Sequence, residues 1–255
     1  MRLAYLGSGS RGNGALVECG DTLLMIDCGF SLAEATRRLA RLGRTPADLS
    51  ALLVTHEHSD HASGVLRLAA THDIPVYLTS GTAWAIGAGD HRARVECISA
   101  HAPFRLGAVM VHPLPVPHDA REPCQFLFEG GGCRLGVLTD TGHITPFLRE
   151  RLAVCDGLAV ECNHDLAMLH AGAYPPALKR RVGGQLGHLN NDQAAELAAL
   201  QDPGRLQWLV GVHLSEQNNT PALARRALET ALGTAPARVL LADQDGGTDW
   251  LTLVP

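Results

Sequence analysis

The heptapeptide Thr55-His56-Glu57-His58-Ser59-Asp60-His61 directly follows the short apolar run 51–54. An apolar run of this length predicts a buried strand, and the heptapeptide then forms a loop at its carboxyl end, where ligands gather in layered α/β proteins. The first two histidines can point the same way if the backbone stays extended, whereas the aspartate and the last histidine lie past the turn. Imidazole and carboxylate are the usual ligands of Zn and Mn, so the cluster indicates two adjacent metal ions rather than a loop of solvated histidines.

The bulk composition bounds the class of protein. The chain has 255 residues, 46% of them apolar, and is long enough for one large domain or two small ones. It contains no run near the roughly 18 apolar residues that a membrane helix needs. The amino terminus is too short and too rich in glycine for a signal peptide and predicts a strand at 1–7, so we expect a cytoplasmic protein with no membrane partner.

Cysteine content and charge limit the possible partners. The seven cysteines are scattered without a Cys-x-x-Cys pair, which favours reduced thiols over a disulfide framework or a zinc knuckle. The net charge of -5 does not indicate a dedicated nucleic-acid-binding protein, which usually has a basic balance. Nucleic acid is not excluded, because a small basic rim around a metal centre can hold phosphates on an acidic protein.

A loop rich in Gly, Ser and Asn, residues 7–14, follows the first strand. It is compatible with a tight hairpin connection or with substrate binding, because its glycines let backbone N–H groups and the side chains of Ser8, Ser10 and Asn13 approach a phosphate. The loop lacks the Gly-Lys-Ser/Thr of a P-loop, and no helical pattern follows it. We therefore exclude nucleoside triphosphate chemistry and expect no nucleotide cofactor.

The pattern His-x-His-x-Asp-His after a strand resembles the signature of the metallo-β-lactamase superfamily. In that superfamily ligands from distant loops complete a two-metal site, which implies a further His, a bridging Asp and another His in this chain. Residues at the ends of later apolar strands fit this order: His118, Asp140 and His213. The Pro-His-Asp context of His118 resembles the third motif of the superfamily and ranks it above the nearby His101 and His112.

The resemblance implies a role for each of these residues. One metal would be bound by His56, His58, His118 and Asp140, and the other by Asp60, His61, Asp140 and His213. Asp27, which follows the strand 22–26, would buttress the metal loop through hydrogen bonds rather than bind metal. With the metals about 3.5–4 Å apart, a bridging hydroxide would attack phosphorus in line. Asp60 would orient or deprotonate the water, and His188 would donate a proton to the phosphate or leaving group.

The run Lys179-Arg180-Arg181 is the one concentrated basic patch of the sequence. Such a run is often a solvated face, but this one leads within seven residues into Gly187-His188-Leu189-Asn190-Asn191 and so indicates phosphate anchoring. We count Asn190 with the substrate-binding residues, although an Asn here can also cap the helix predicted at 192–200. His164 can bind metal by composition alone, but we expect it to line the site or to support a ligand.

Strands and helices alternate along the chain in two runs. Strands are predicted at 1–7, 16–17, 22–26, 51–54, 75–79, 94–99, 109–115, 125–129, 134–139, 157–160, 208–212, 238–242 and 250–254. Helices are predicted between Ser31 and Gly43 and at 65–71, 82–88, 192–200 and 221–232. With all candidate ligands at strand ends, this order and the resemblance imply an α/β protein with a four-layer αββα sandwich. We expect one domain over residues 1–255, with the metals in a cleft at one edge.

Several later motifs narrow the resemblance. Gly-His188, an Ala-rich helix and then a strand with His213-Leu-Ser resemble the phosphodiesterase branch of the superfamily, typified by tRNase Z. Together with Glu161-Cys-Asn-His-Asp, the Tyr174-Pro-Pro run and Ser59 in the metal loop, they resemble the YycJ/WalJ group of DNA exonucleases, although that group has Ser-Asn within the motif Gly-His-Leu-Asn-Asn. The resemblance implies a binuclear phosphodiesterase with two Zn or Mn ions, acting on DNA in preference to RNA as a 5′-to-3′ exonuclease.

Other functions remain as alternatives to this hypothesis. A small-molecule hydrolase of the glyoxalase II or lactonase type would not need the basic run, and an RNA-processing nuclease would share the metal site. Di-iron redox members of the superfamily carry Glu where His58 stands here, and catalytically silent members lose ligands, whereas this chain has a complete set.

Overall fold

The computed structural model describes residues 1–234 and 237–255, which form two β-sheets with helices on their outer faces. The strands are β1 Arg2–Gly7, β2 Gly14–Cys19, β3 Thr22–Ile26, β4 Ala51–Leu53, β5 Val76–Thr79, β6 Val95–Ile98, β7 Phe104–Leu106, β8 Val109–Pro115, β9 Cys124–Gly130, β10 Cys133–Leu138, β11 Gly157–Glu161, β12 Trp208–Val212, β13 Arg238–Leu241 and β14 Leu251–Thr252. The α-helices are α1 Leu32–Arg41, α2 Ser59–Ala62, α3 Val65–His72, α4 Ser80–Ala85, α5 Pro146–Leu152, α6 Leu166–Ala171, α7 Pro176–Val182, α8 Asn191–Ala199 and α9 Pro221–Leu232. Within the described residues no helix is long and apolar enough to cross a bilayer.

Each sheet has seven strands and mixed direction. The order is β14-β1-β2-β3-β4-β5-β6 in the first sheet and β13-β12-β11-β10-β9-β8-β7 in the second. The strands from β3 to β6 and from β10 to β13 run parallel, while the hairpins that precede them are antiparallel. The two halves of the chain therefore build sheets of similar design.

The sheets pack face to face, and helices cover their outer faces. The shared apolar core between the sheets includes Tyr5 from the first sheet and Phe126 and Phe128 from the second. On the outside, Leu39 of α1 and Leu68 of α3 pack on the first sheet, while α5, α8 and α9 pack on the second. Side chains alternate between the two faces of each strand, which lets one sheet contact both layers. This arrangement is the predicted four-layer αββα sandwich.

The strand order brings the candidate site residues to one edge. β4, β8, β10, β11 and β12 each lead, at the carboxyl end, into a loop that carries such a residue. Leu138 pairs with Val160, and Val160 pairs with Gly211, so the loops after β10, β11 and β12 leave the sheet at the same level. Ligands in open α/β sheets gather at this edge of parallel strands.

Helix positions differ from the prediction in two ways. α4 begins at Ser80 because the Thr79 hydroxyl caps it by accepting the Thr82 N–H, and it already ends at Ala85. The helices α5, α6 and α7 were not predicted. Each has six or seven residues, which is too short for the hydrophobic period to stand out in sequence.

Candidate metal centre

The metal loop, residues 55–61, is fixed to the loops after β1 and β3 by backbone contacts. The Cys28 N–H donates to the His61 carbonyl at 2.7 Å, and the Asn13 N–H donates to the Asp60 carbonyl at 2.7 Å. Gly29 permits this approach, because a Cβ at that position would collide with the Asp60 carbonyl. The loop that carries the histidines is therefore held rigidly against the first sheet.

Asp27 holds the same loop through its side chain. The buried carboxylate accepts hydrogen bonds from the Thr55 N–H at 2.8 Å, from the Thr55 hydroxyl at 2.7 Å and from His61 Nδ1 at 2.8 Å. The Asp27 backbone has a φ of 57°, in the left-handed region. Such a conformation costs a non-glycine residue about 1–3 kcal/mol and persists only where its surroundings enforce it. Because Asp27 accepts the Nδ1 proton, His61 directs Nε2 into the cluster.

His56, His58 and His118 form one group of converging ligand atoms. The Thr55 hydroxyl donates its proton to the buttressing carboxylate and so accepts from His56 Nδ1 at 2.9 Å, which leaves a lone pair on His56 Nε2. Likewise His118 Nδ1 donates to the Gly187 carbonyl at 2.9 Å, and His118 Nε2 lies 3.3 Å from His58 Nδ1. Burial lowers the pKa of both His56 and His118, which favours the neutral rings that bind metals.

Asp60, His61 and His213 form a second group. Asp60 Oδ2 lies 3.5 Å from His61 Nε2 and 3.5 Å from His213 Nε2. His213, which follows β12, also has a left-handed backbone, with a φ of 54°. Its N–H donates to Ser8 Oγ at 2.8 Å, and its carbonyl accepts the Asn163 side-chain amide at 3.1 Å. These two contacts hold the strained residue from both sides.

Asp140 lies between the two groups. Its Oδ2 is 3.1 Å from His61 Nε2, and its Oδ1 is 3.0 Å from His213 Nδ1. Burial alone would raise the pKa of Asp140, but the charges of His213 and His61 hold it well below its usual range. The buried carboxylate is ionised, and it also converges with His56 of the first group.

Glu161, the last residue of β11, is the site residue that the sequence analysis missed. It is completely buried, and its Oε2 accepts the Thr141 N–H at 3.0 Å and the Leu189 N–H at 3.1 Å. Its Oε1 lies 2.7 Å from His188 Nδ1 and 3.1 Å from His213 Nδ1. Glu161 thus joins the loops after β10 and β12 to the loop before α8. The available signal was an acid at the end of an apolar strand, the same pattern that marked the candidate bridging aspartate.

His188 stands at the wall of the site. Burial lowers its pKa, but the charge of Glu161 and hydrogen bonds to Asp140 and Glu161 outweigh burial and raise the pKa to about 9. Because Nδ1 faces Glu161, the opposite edge of the ring faces the cavity that His188 lines.

The chemistry of the donors fits metal ions. His56 Nε2 is buried and has no hydrogen-bond partner among residues 1–234 and 237–255. His58 Nδ1 and His118 Nε2 lie 3.3 Å apart, a spacing that lets both nitrogens bind one cation. With the carboxylates of Asp60 and Asp140, these imidazoles form a donor set suited to Zn or Mn. Two groups that share one carboxylate fit two ions.

A cavity of about 380 Å³ opens above the cluster. Its lining includes members of both candidate groups: His58, Asp60, Asp140 and His213. Other walls carry groups able to hydrogen-bond a substrate: Ser10, Asn163, Tyr174, Arg181, His188 and Ser215. The site is therefore accessible from solvent through a polar opening.

The predicted substrate-binding residues near the cavity lie at different depths. Ser10 and Arg181 line the cavity, and Arg180 is exposed. Ser8 and Asn13 are buried beneath it. The Asn13 carboxamide accepts the Gly9 N–H at 2.8 Å and lies close to the second ligand group, so these two side chains hold loops in place.

The structure directs two other predicted residues away from the cavity. Lys179 Nζ donates to the His170 carbonyl of α6 at 2.7 Å. The Asn190 side chain accepts the Gln193 N–H at 2.9 Å and caps α8 as part of a capping box. Both side chains are engaged in contacts within the protein.

His164 lies behind the site. It is completely buried, neither ring nitrogen has a hydrogen-bond partner in the described part of the chain, and burial lowers its pKa to about 4. The groups of converging ligand atoms found among the described residues do not include His164. Its backbone contributes by accepting the Asn191 N–H at 2.9 Å, next to the start of α8.

Comparison with known proteins places this site in a family. The Beta-lactamase superfamily domain matches residues 22–213. Exodeoxyribonuclease WalJ of Streptococcus pneumoniae is 32% identical over 241 residues, which cover 92% of this chain and 89% of WalJ. Exodeoxyribonuclease YycJ of Bacillus anthracis is 33% identical over 240 residues, which cover 91% of this chain and 89% of YycJ.

Solved structures agree on the fold. The metallo-beta-lactamase fold protein YhfI from Bacillus subtilis superposes with a TM-score of 0.76, covering 98% of this chain and 99% of YhfI at 17% identity. At 17% identity this likeness shows the fold alone. The relationship in sequence rests on WalJ and YycJ, which match over nearly the whole chain. The chain belongs to the beta-lactamase superfamily, with a metallo-β-lactamase fold, and is a relative of the WalJ and YycJ proteins.

Proposed function

We propose that the protein is a binuclear metal-dependent phosphodiesterase that degrades DNA from the 5′ end as an exonuclease. The observation that carries the proposal is the pair of neighbouring ligand groups beneath a polar cavity, with Asp140 converging on His56 of one group and His61 of the other. The names of the WalJ and YycJ relatives support DNA as the substrate class. Arg181 on the cavity wall and the nearby Arg180 supply positive charge for a phosphate backbone.

The proposed ligand sets follow the two groups. His56, His58 and His118 would hold one ion, Asp60, His61 and His213 the other, and Asp140 both. When bound, two divalent ions lower the pKa of water to generate a nucleophile and stabilise charge on the attacking and leaving oxygens. The fit rests on donor type and on the unpartnered Nε2 of His56.

The remaining residues of the site position substrate and protons. His188 presents one ring edge to the cavity while its Nδ1 is bound to Glu161, so it is oriented to give a proton to the departing oxygen. Asp60 lines the cavity and can orient the attacking water. Ser10 and Arg181 are the proposed phosphate contacts. No covalent bond between enzyme and substrate is needed.

Two broader proposals accompany this function. All seven cysteines are free thiols in the structure, which supports residence in the reducing cytoplasm. The apolar core that both sheets share supports a single folded domain over residues 1–255. A single cooperative unfolding transition seen by both fluorescence and circular dichroism is the expected result.

The test is a cleavage assay with Mn or Zn on duplex DNA, single-stranded DNA and RNA, each labelled at either end. A 5′ exonuclease releases a 5′ label at once as a short product, whereas a 3′-labelled strand shortens step by step. Asp60→Ala is the inactive reference, and Asp21→Ala, which removes an exposed carboxylate on the β2–β3 turn, is the matched control. Hydrolysis of a thioester or lactone without cleavage of any polymer would show that the protein is a small-molecule hydrolase instead. Cleavage of RNA alone would show that it is an RNA-processing nuclease.

A further inference from the structure

Trp84 in α4 presents a large aromatic side chain to solvent. Trp84 is 69% exposed. The two other tryptophans are used inside the fold: Trp208 donates its indole N–H to the Thr252 carbonyl, and Trp250 donates its indole N–H to the Leu42 carbonyl. An indole left in water needs a reason, because burying its apolar surface would stabilise the protein.

Arg121 stacks on this indole. The Arg121 guanidinium carbon lies 3.8 Å from the centroid of the Trp84 ring, which is close for a cation–π contact. Arg121 is itself exposed, so the stacked pair presents an aromatic group and a positive charge together to solvent. We call this pair the Trp84–Arg121 platform.

The platform is fixed to the metal loop. The Arg121 N–H donates to Glu57 Oε1 at 2.7 Å, and Glu57 stands between the candidate ligands His56 and His58. Arg121 is three residues after His118, a separation that an extended chain spans in about 10 Å. The backbone that carries Arg121 therefore lies next to the loop that carries the candidate ligands.

Contacts on the other side fix α4 to the same loop. Gly81 N–H donates to Glu122 Oε2 at 2.6 Å, and the Thr79 hydroxyl donates to the Glu122 carbonyl at 2.7 Å. A Cβ on Gly81 would press against the Glu122 side chain, so glycine lets the two segments meet. The indole and the guanidinium are thus presented by segments that are tied together.

The charge of Arg121 is available to a ligand. Asp119 pairs with Arg181, and the Glu122 carboxylate accepts the Gly81 N–H, while Glu57 accepts the backbone N–H of Arg121 itself. Within the part of the chain that the structure describes, the Arg121 guanidinium forms no salt bridge, whereas Arg2, which lies over Trp250, also pairs with Glu18. The Trp84–Arg121 platform therefore has the composition of a nucleic-acid contact.

We propose that the Trp84–Arg121 platform stacks a base of the single strand leading to or from the reacting phosphate, while the guanidinium attracts the strand. This inference rests on the proposed nuclease function and adds a base contact to it. Stacking of a base on an aromatic side chain tolerates any sequence, because every base has a π face. The platform would make the enzyme prefer unpaired DNA and would bind any of the four bases.

The experiment measures KM and kcat for degradation of a 5′-labelled single-stranded DNA by the wild type, Trp84→Ala, Trp84→Phe and Leu200→Ala. Leu200 is 43% exposed at the far end of α8 and controls for loss of an exposed apolar side chain. A second series of substrates carries one abasic position, moved through the first five nucleotides. We expect Trp84→Ala to raise KM about tenfold with kcat unchanged, and Trp84→Phe to recover most of the loss.

The abasic substrates decide between stacking and general disruption. At one position the abasic strand should raise the KM of the wild type about as much as Trp84→Ala does, and the variant should no longer respond to that change. If the wild type degrades DNA but Trp84→Ala keeps the wild-type KM, or responds to every abasic position as the wild type does, the platform is refuted while the nuclease function stands. If the wild type degrades no DNA, both proposals fail.

Discussion

Glu161 Oε1 accepts a hydrogen bond from His188 Nδ1 at 2.7 Å, and this contact determines which edge of the imidazole faces the cavity. In Glu161→Gln one carboxamide end can still accept the Thr141 and Leu189 N–H groups, so the local fold is kept. The negative charge beside His188 is lost. We expect kcat to fall about a hundredfold with KM little changed, because general acid–base contributions are of that size. Steady-state kinetics on labelled DNA measure kcat and KM separately.

Glu150→Gln is the control for the Glu161 variant, because Glu150 is exposed on α5. Metal content, measured by elemental analysis of the purified variant, shows whether the effect passes through the metals. A Glu161→Gln enzyme with wild-type kcat would mean that His188 does not depend on this contact.

Asp27→Asn is expected to weaken metal binding about 10- to 100-fold, the usual effect of removing an outer partner of a metal ligand. Asn tolerates the left-handed backbone at this position better than most residues, so the substitution tests the charge rather than the conformation. His61 would lose the anionic acceptor for its Nδ1 proton. Competition with a coloured chelator gives the affinity, and Asp21→Asn on an exposed turn should leave it unchanged.

Removal of the metals is expected to lower the melting temperature. A metal present at a thousand times its Kd stabilises the folded state by about 4 kcal/mol. For a chain of this size that corresponds to roughly 10 °C. Calorimetry before and after treatment with a chelator measures the shift, and adding Mn or Zn back should restore it.

His118→Ala and His213→Ala remove one proposed ligand from each group. Each variant should retain about one metal per chain where the wild type holds two, because each substitution removes a ligand from only one of the two groups. If both variants keep the full metal content, the ligand assignment is wrong.

Arg181→Ala should weaken binding of single-stranded DNA and reduce the slope of log K against log salt by about 0.7, the value for one phosphate contact. Arg181 lines the cavity, although it also pairs with Asp119. Lys179→Ala is the matched control, because Lys179 donates to a backbone carbonyl outside the cavity. Titration of each variant with single-stranded DNA at several salt concentrations, with the metal removed to prevent cleavage, gives the two slopes. Equal slopes for both variants would mean that the basic run is a solvated face that does not contact phosphate.

Much of the fold was predictable because its signals are local. Strong apolar runs marked most strands, and the ends of those runs located the candidate ligands from His56 to His213. The element bounds were less accurate where a side-chain cap decides them, as at Thr79 before α4. The short helices escaped notice because their burial comes from tertiary contacts rather than from a long amphipathic pattern.

The candidate ligands could be listed from the sequence, whereas most of the residues that hold them in place could not. Glu161 stands in the stretch Glu161-Cys-Asn-His-Asp, but that context assigned it no role, and its importance appears only when β11 places it beside His188 and His213. Similarly, Ser8 belongs to a loop with a substrate-binding composition, yet its hydroxyl accepts the His213 N–H from the other end of the chain. Such long-range pairings depend on the topology of the fold. The residues next to Ser8 or Glu161 in the sequence do not reveal them.

The bond between Ser8 and His213 also bears on how the protein is made. The second ligand group needs β12, and the loop after β12 rests on a residue near the amino terminus. A nascent chain that ends before β12 therefore presents the histidines of the metal loop without their last partner. The second ligand group can therefore form only after nearly all of the polypeptide has been translated and its two ends have come together.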